Sequence, residues 1–241
     1  MKSQIAQKKE VVVQKVMTPG QMKDVISAVI QGIPVNLPQG SKKRLLNELK
    51  KVYALIVANP YADMVLEWEQ FYLKHFQKAY DFSQLLISDC PGENMRLLII
   101  TDLLLEQLYA KCKELFSCWR WTDEDLDKNV VWNERDAKGG AYAIWVKNEV
   151  EADEQLKNIS ANDIKVLGTT TEALAERLLH ELKFFDESGN HLDIKNWTLC
   201  AGSRCAGGFV PNVYWSDGKL NVDRCRPVLA DGGLRSRQVV S

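Results

Sequence analysis

The chain has 241 residues, 46% of them hydrophobic and 26% charged, with a net charge of −1. This balance excludes a disordered or collagen-like chain, and the length suits two modest domains. So small a net charge gives the molecule as a whole no long-range pull on nucleic acid or anionic lipid.

The charge is unevenly spread. Residues 1–51 carry ten Lys/Arg against three Asp/Glu, and residues 196–241 carry six against three. Residues 52–150 carry ten against sixteen, and 151–195 five against ten. A basic head and tail therefore bracket an acidic middle. Solvated helix faces account for this pattern, and so would a basic arm docking on an acidic partner or on nucleic acid.

Residues 1–20 read as a flexible basic arm. Met1 to Val16 has neither an apolar h-region nor a small-residue cleavage site, so it is not read as a signal peptide. A short helix is expected over 21–30 and a loop over 32–40. Ser41 reads as an N-cap for a helix over 42–59, with Leu45, Leu46, Leu49, Val52 and Leu55 at helical spacing. A longer helix is expected from Ala62 to Ile87, carrying Trp68, Phe71, Tyr72, Phe76, Tyr80 and Phe82 as bundle core. Asp89-Cys90-Pro91 reads as a stop and restart, and the next helix is expected from Glu93 to Cys118. Residues 21–121 thus read as a helical bundle domain. The apolar stretch Leu97–Leu105 is broken by Asp102 and is too short to span a bilayer. A cytoplasmic location is expected, with display on a cell surface or virion left open.

After Trp121 the pattern changes. Val130-Val131-Trp132 and Ala141–Val146 read as strands, and residues 170–185 as a helix with Leu174, Leu178, Leu179 and Leu182 on one face and Thr171 as its cap. Ser188-Gly189-Asn190 ends that helix. The tail holds short strand-like runs at Trp197–Ala201, Val210–Trp215, Lys219–Val222 and Leu234–Val240. Ser216-Asp217-Gly218 is a tight-turn signal between the second and third.

The tail segments WTLCAGSR (Trp197–Arg204), VPNVYW (Val210–Trp215), DGKLNV (Asp217–Val222) and LRSRQVVS (Leu234–Ser241) resemble the variable proteins of diversity-generating retroelements. The resemblance covers about the last hundred residues. It implies a C-type-lectin-like fold, of the branch shared with formylglycine-generating enzymes, over residues 122–241. The implied fold class is α+β, a helical bundle followed by that domain.

The family rewrites adenine-rich codons, so the resemblance implies a constant frame interrupted by exchangeable positions in about 200–241. The frame would include Gly202, Ser203, Arg204, Val213, Trp215, Leu220, Val222, Arg235 and Arg237, with Trp215 and Leu220 buried. The exchangeable, ligand-binding positions would be Cys205, Ala206, Phe209, Tyr214, Ser216, Asp223, Cys225, Arg226, Val228, Leu229, Asp231, Gly232 and Gly233. Asn212 and Asn221 would be unaltered members of the set. Arg224 fits less well, since a framework Trp is expected there. Phe209 and Tyr214 read either as binding anchors or as ordinary packed side chains. Arg204, Arg235 and Arg237 are expected to hold buried carbonyls or carboxylates.

The implied function is ligand binding without catalysis, toward a protein or other macromolecular target. The helical half would tether a partner or a second copy. No cofactor is expected, with a structural metal ion left open. Two alternatives stand beside this reading. A formylglycine-generating-type oxidase would draw on Cys200, Cys205 and Cys225, which stand in no matching spacing. A nucleic-acid-binding or adaptor role would draw on the basic arm with Lys42-Lys43-Arg44 and Lys50-Lys51. His75, His180 and His191 complete no hydrolase or zinc motif. The six cysteines read as free thiols rather than a disulfide framework.

Overall fold

The computed structural model describes residues 60–241, together with 27, 31, 40, 41 and 43–47. The expected arm over 1–20 lies outside the described residues, as does nearly all of the helices expected over 21–30 and 42–59. The chain divides into two compact units, Met1–Leu66 and Glu67–Ser241. The domain boundary expected between 121 and 122 does not fall there.

The C-terminal unit mixes helices and strands. Its elements are α1 (Ala62–Phe76, which crosses the unit boundary), β1 (Met95–Ile100), α2 (Leu105–Leu115), β2 (Cys118–Arg120), α3 (Leu126–Asn129) and β3 (Val130–Asn133). Then come β4 (Tyr142–Lys147), α4 (Ala161–Leu167), α5 (Leu174–Ser188), β5 (Trp197–Leu199), β6 (Ser203–Cys205), β7 (Val210–Ser216), β8 (Lys219–Cys225) and β9 (Leu234–Arg235). β2, β8, β7, β5 and β9 lie side by side in one sheet; β1 pairs with β4, and β3 with β6.

Two of the expected bundle helices are corrected. The helix expected to reach Ile87 stops at Phe76. Gln77 takes a left-handed conformation (φ 56°), its N–H bonds the Leu73 carbonyl at 3.1 Å and the Lys78 N–H bonds that of Tyr72 at 3.4 Å, so a left-handed residue closes the helix. The aromatic spacing continues past this stop because Tyr80 and Phe82 fold back onto Tyr72, at ring distances of 5.0 and 5.9 Å. The helix expected over Glu93–Cys118 is a strand followed by a shorter helix. In MRLLII the apolar residues Leu97–Ile100 follow Arg96 without a break, and a segment of this kind fits a buried strand as well as a helix. Here it pairs antiparallel with β4, from Met95↔Lys147 to Ile100↔Tyr142. The Asp127 carboxylate accepts from the N–H groups of Leu105 (2.9 Å) and Glu106 (3.0 Å), starting α2 only there.

Residues 118–120 also join the tail, since β2 runs parallel to β8. The bundle over 21–121 is therefore not kept across residues 67–121, which supply strands to the C-terminal unit. Two further differences concern helices. α4 was not expected; Ser160 caps its start and Gly168 (φ 66°) ends it. α5 is not capped by Thr171. Instead the Glu176 side chain accepts from the Ala173 N–H at 2.6 Å, while Thr171 bridges to Gln238.

The core lies between α5 and the strands. Leu178, Leu179, Leu182, Leu98, Ile144, Val213 and Val222 are buried, and α5 packs on α2, β1 and β7. The last residues cross this core, through bridges Trp145↔Val240 and Thr171↔Gln238. No helix among the described residues is long and apolar enough to cross a membrane.

Candidate functional site

The turn between β7 and β8 fixes the geometry of the tail. Asp217 (φ 53°) and Gly218 (φ 70°) both take positive φ, the conformation of a two-residue hairpin loop matched to strand twist. The strands then pair Asn212↔Asp223, Tyr214↔Asn221 and Ser216↔Lys219, with Val210↔Cys225 at the far end. Side chains alternate along a strand, so Asn212, Tyr214, Ser216, Asn221, Asp223 and Cys225 share one face. Val213, Leu220 and Val222 take the other and are fully buried.

That shared face is not open throughout. Ala206, Arg226, Val228, Leu229, Asp231 and Gly232 are exposed, and Phe209, Tyr214, Ser216, Asp223, Cys225 and Gly233 are partly so. Cys205, Asn212 and Asn221 are buried, at 1%, 4% and 6% exposure, which corrects their placement on a free surface. The causes are local. α4 covers one end, where Ala161 and Ile164 pack with Leu199, Val210 and Leu234, and Cys225 lies against them. The Asn221 amide is turned into the hairpin and donates to the carbonyls of Ser216 (3.3 Å) and Lys219 (3.1 Å). The Cys205 N–H bonds the Phe209 carbonyl at 2.7 Å, drawing Cys205 inward.

Two exposed tryptophans flank this face and were not among the expected binding residues. Trp119 on β2 pairs in register with Asn221. Trp197 on β5 packs on Tyr214 with ring centroids 5.0 Å apart. They are 42% and 40% exposed, high for so large a side chain. Only the sheet order brings β2 beside β8, so no local signal could have marked Trp119.

A buried ionic chain supports the sheet. Arg177 donates to Asp193 (2.9 Å) and Glu181 (2.9 Å). Arg237 donates to Asp193 (2.7 Å) and to the carbonyls of Glu149 (2.9 Å) and Val150 (2.7 Å). Burial pushes the Asp193 carboxyl up, but Arg237 and Arg177 outweigh it and hold Asp193 below its usual range. Arg204 donates to the carbonyls of Ala201 and Ser203, both at 2.7 Å, and Arg235 to that of Ala152 at 3.3 Å. All three arginines thus hold backbone carbonyls as expected. Trp215 is half-buried rather than buried, and stacks on His191 with ring centroids 3.3 Å apart.

The residues behind the oxidase alternative and the buried histidine pair have the following settings. Cys200, Glu172 and His180 are completely buried, with the His180 ring nitrogen Nδ1 2.9 Å from Glu172 Oε1. Burial holds the His180 imidazole well below its usual range and pushes the Cys200 thiol well above its own. Burial likewise pushes Cys205 and Cys225 up to about 11. Burial of this kind disfavours the thiolate form. Among the described residues, no group of three or more His, Cys, Asp or Glu is placed to hold a metal ion.

A cavity of about 340 Å³ opens beside Ile100, Leu105, Val130, Asn133, Arg135 and Tyr142. Its polar groups are largely committed. Arg135 holds Glu176 through two bonds of 2.8 Å, and the Tyr142 hydroxyl donates to the same carboxylate at 2.8 Å. None of the expected binding residues lines it.

Comparison with known proteins finds no matching family model, no matching curated relative and no matching solved structure.

Proposed function

We propose that this is a ligand-binding protein whose C-terminal surface, of C-type-lectin type, is diversified by a retroelement to recognise variable macromolecular targets. The observation that supports this reading is the hairpin register. It separates the fixed core residues Val213, Leu220 and Val222 from partly exposed Tyr214, Ser216 and Asp223 on the opposite face. The exposed loop at Arg226, Val228, Leu229 and Asp231 continues the exchangeable set. A surface that is remade by mutation needs this division, because exposed substitutions shift stability by only about ±0.5 kcal/mol. Aromatic and arginine side chains on such a surface are the residue types that carry binding energy.

The test has two arms. Sequencing the DNA around the gene should find a near-identical template copy differing at adenines, beside a reverse transcriptase gene. A display library randomised at Tyr214, Ser216, Asp223, Arg226, Val228 and Leu229 should remain mostly folded, and members should be selectable for new targets. Absence of any template copy, or a library that is mostly unfolded, overturns the reading.

A further inference from the structure

Arg224 departs from the expected frame, and its surroundings give it a role. It is exposed and lies on β8 between Asp223 and Cys225, projecting to the other side of the strand. Its guanidinium carbon sits 4.8 Å from the Phe209 ring centroid and 5.8 Å from that of Trp121. The cation thus lies over both ring faces, and stacking of this kind leaves the N–H edges of a guanidinium free to bond. Those edges form no hydrogen bond or ion pair among the described residues, in contrast to the committed Arg177 and Arg237. The Trp121 indole N–H beside it is buried and has no acceptor. The cluster therefore offers donors and ring faces, and its neighbouring carboxylate, Asp223, accepts from the Arg224 backbone N–H at 2.8 Å.

The neighbouring charges narrow the ligand. Arg226 adds a positive group, while Asp123, Glu124 and Asp223 are close in sequence. Glu124 is turned toward Asn129, accepting from its amide at 3.0 Å. With the Asp223 carboxylate beside it on the strand, the cation suits a singly charged, planar oxyanion better than a polyanion. A second guanidinium, Arg204, lies over Trp132 at 5.8 Å.

We propose that Arg224, braced by Phe209 and Trp121, receives a carboxylate of the bound partner: an Asp or Glu side chain of a protein target, with an apolar neighbour set against the rings. A carboxylate accepts two parallel N–H bonds from a guanidinium edge, which gives both strength and orientation. This inference rests on the binding role proposed above for its partner, while the carboxylate site can fail on its own.

Benzoate, a carboxylate on a ring, is the probe. It is titrated into the full-length ¹⁵N-labelled protein at constant ionic strength, and the indole N–H signals and the Arg224 Nε–H signal are followed by NMR. The expected result is a saturable shift of the Trp121 indole and of Arg224, with the Trp119 and Trp197 indoles unmoved. Arg224→Gln should weaken binding at least about tenfold, the loss of a charge-assisted pair. Arg224→Lys should restore only part of it, since the fork is lost. Equal shifts at all indoles, full binding in Arg224→Gln, or inorganic phosphate binding more tightly than benzoate would each overturn the assignment. A target whose capture needs Tyr214 and Arg226 but not Arg224 would also overturn it, and would leave the broader reading standing.

Discussion

Arg237 donates to Asp193 across 2.7 Å in an environment where the two side chains are only 1% and 0% exposed. The same guanidinium reaches the carbonyls of Glu149 and Val150, so one side chain joins the end of the tail to the segment after β4. Arg237→Met should cost about 3–5 kcal/mol, because it leaves a buried carboxylate short of a partner. Arg237→Lys keeps the charge but loses the fork, and should still be clearly destabilising. Urea unfolding of each variant checks this. Asp193 is held below its ordinary value in the folded state. Its contribution is therefore present above the unfolded pKa and fades as pH falls through the folded one.

The buried pair Glu172–His180 should give the fold an unusual dependence on pH. Burial pushes the Glu172 carboxyl from 4.5 to about 7. Between those values the folded state keeps a proton that the unfolded chain has released, so stability falls as pH rises through this window. Glu172→Gln should flatten that fall and raise stability at alkaline pH by on the order of 1–3 kcal/mol. His180 acts in the opposite sense: it stays neutral when folded, so stability drops as pH falls below its unfolded value. That acid limb should persist in Glu172→Gln. Melting temperature measured against pH reads both limbs; an unchanged alkaline limb in the variant would refute the assignment.

Gly202 should tolerate no side chain. A Cβ there would stand 2.8 Å from the Thr171 carbonyl oxygen and 3.0 Å from the Ala173 nitrogen. Both are backbone atoms at the start of α5, so they cannot swing away. Gly202→Ala should cost about 1–3 kcal/mol through forced displacement of that segment. Thermal unfolding followed by circular dichroism measures the loss; Gly232→Ala, where a Cβ meets nothing within 4 Å, is the control.

The two faces of the hairpin should answer differently to truncation. Leu220→Ala should cost about 2–5 kcal/mol, since Leu220 is wholly buried and a cavity remains. Arg226→Ala and Leu229→Ala, on the exposed loop, should each stay within about ±0.5 kcal/mol. Both should weaken capture of a selected target. Denaturation midpoints paired with binding titrations separate the two effects.

The tail was the most legible part of the chain. Alternation along β7 and β8 and the Asp217-Gly218 turn were readable because a hairpin is a local object with period two. α5 was readable from its Leu spacing. The segment 77–118 was misjudged for a physical reason: Leu97–Ile100 are all buried, and uniform apolarity erases the periodicity that separates strand from helix. Asn221 was placed on an open surface although its amide is drawn to the turn carbonyls, and Asn212 is buried as well; the strand pattern encodes neither. Trp119 was missed because its neighbour, Asn221, lies far along the chain. Arg224 stood out as an odd residue, but its bracing by Trp121 is a tertiary fact.

The Asp217-Gly218 loop has a further consequence, which is one of parity. With a fixed two-residue turn, each position in the following strand is odd or even, and that decides which face of the sheet its side chain joins. Replacing letters leaves the parity intact. Adding or removing a single codon after the turn would invert it, sending Leu220 and Val222 outward and their polar neighbours in. Heritable change in this stretch is therefore tolerable as respelling and ruinous as a shift of one.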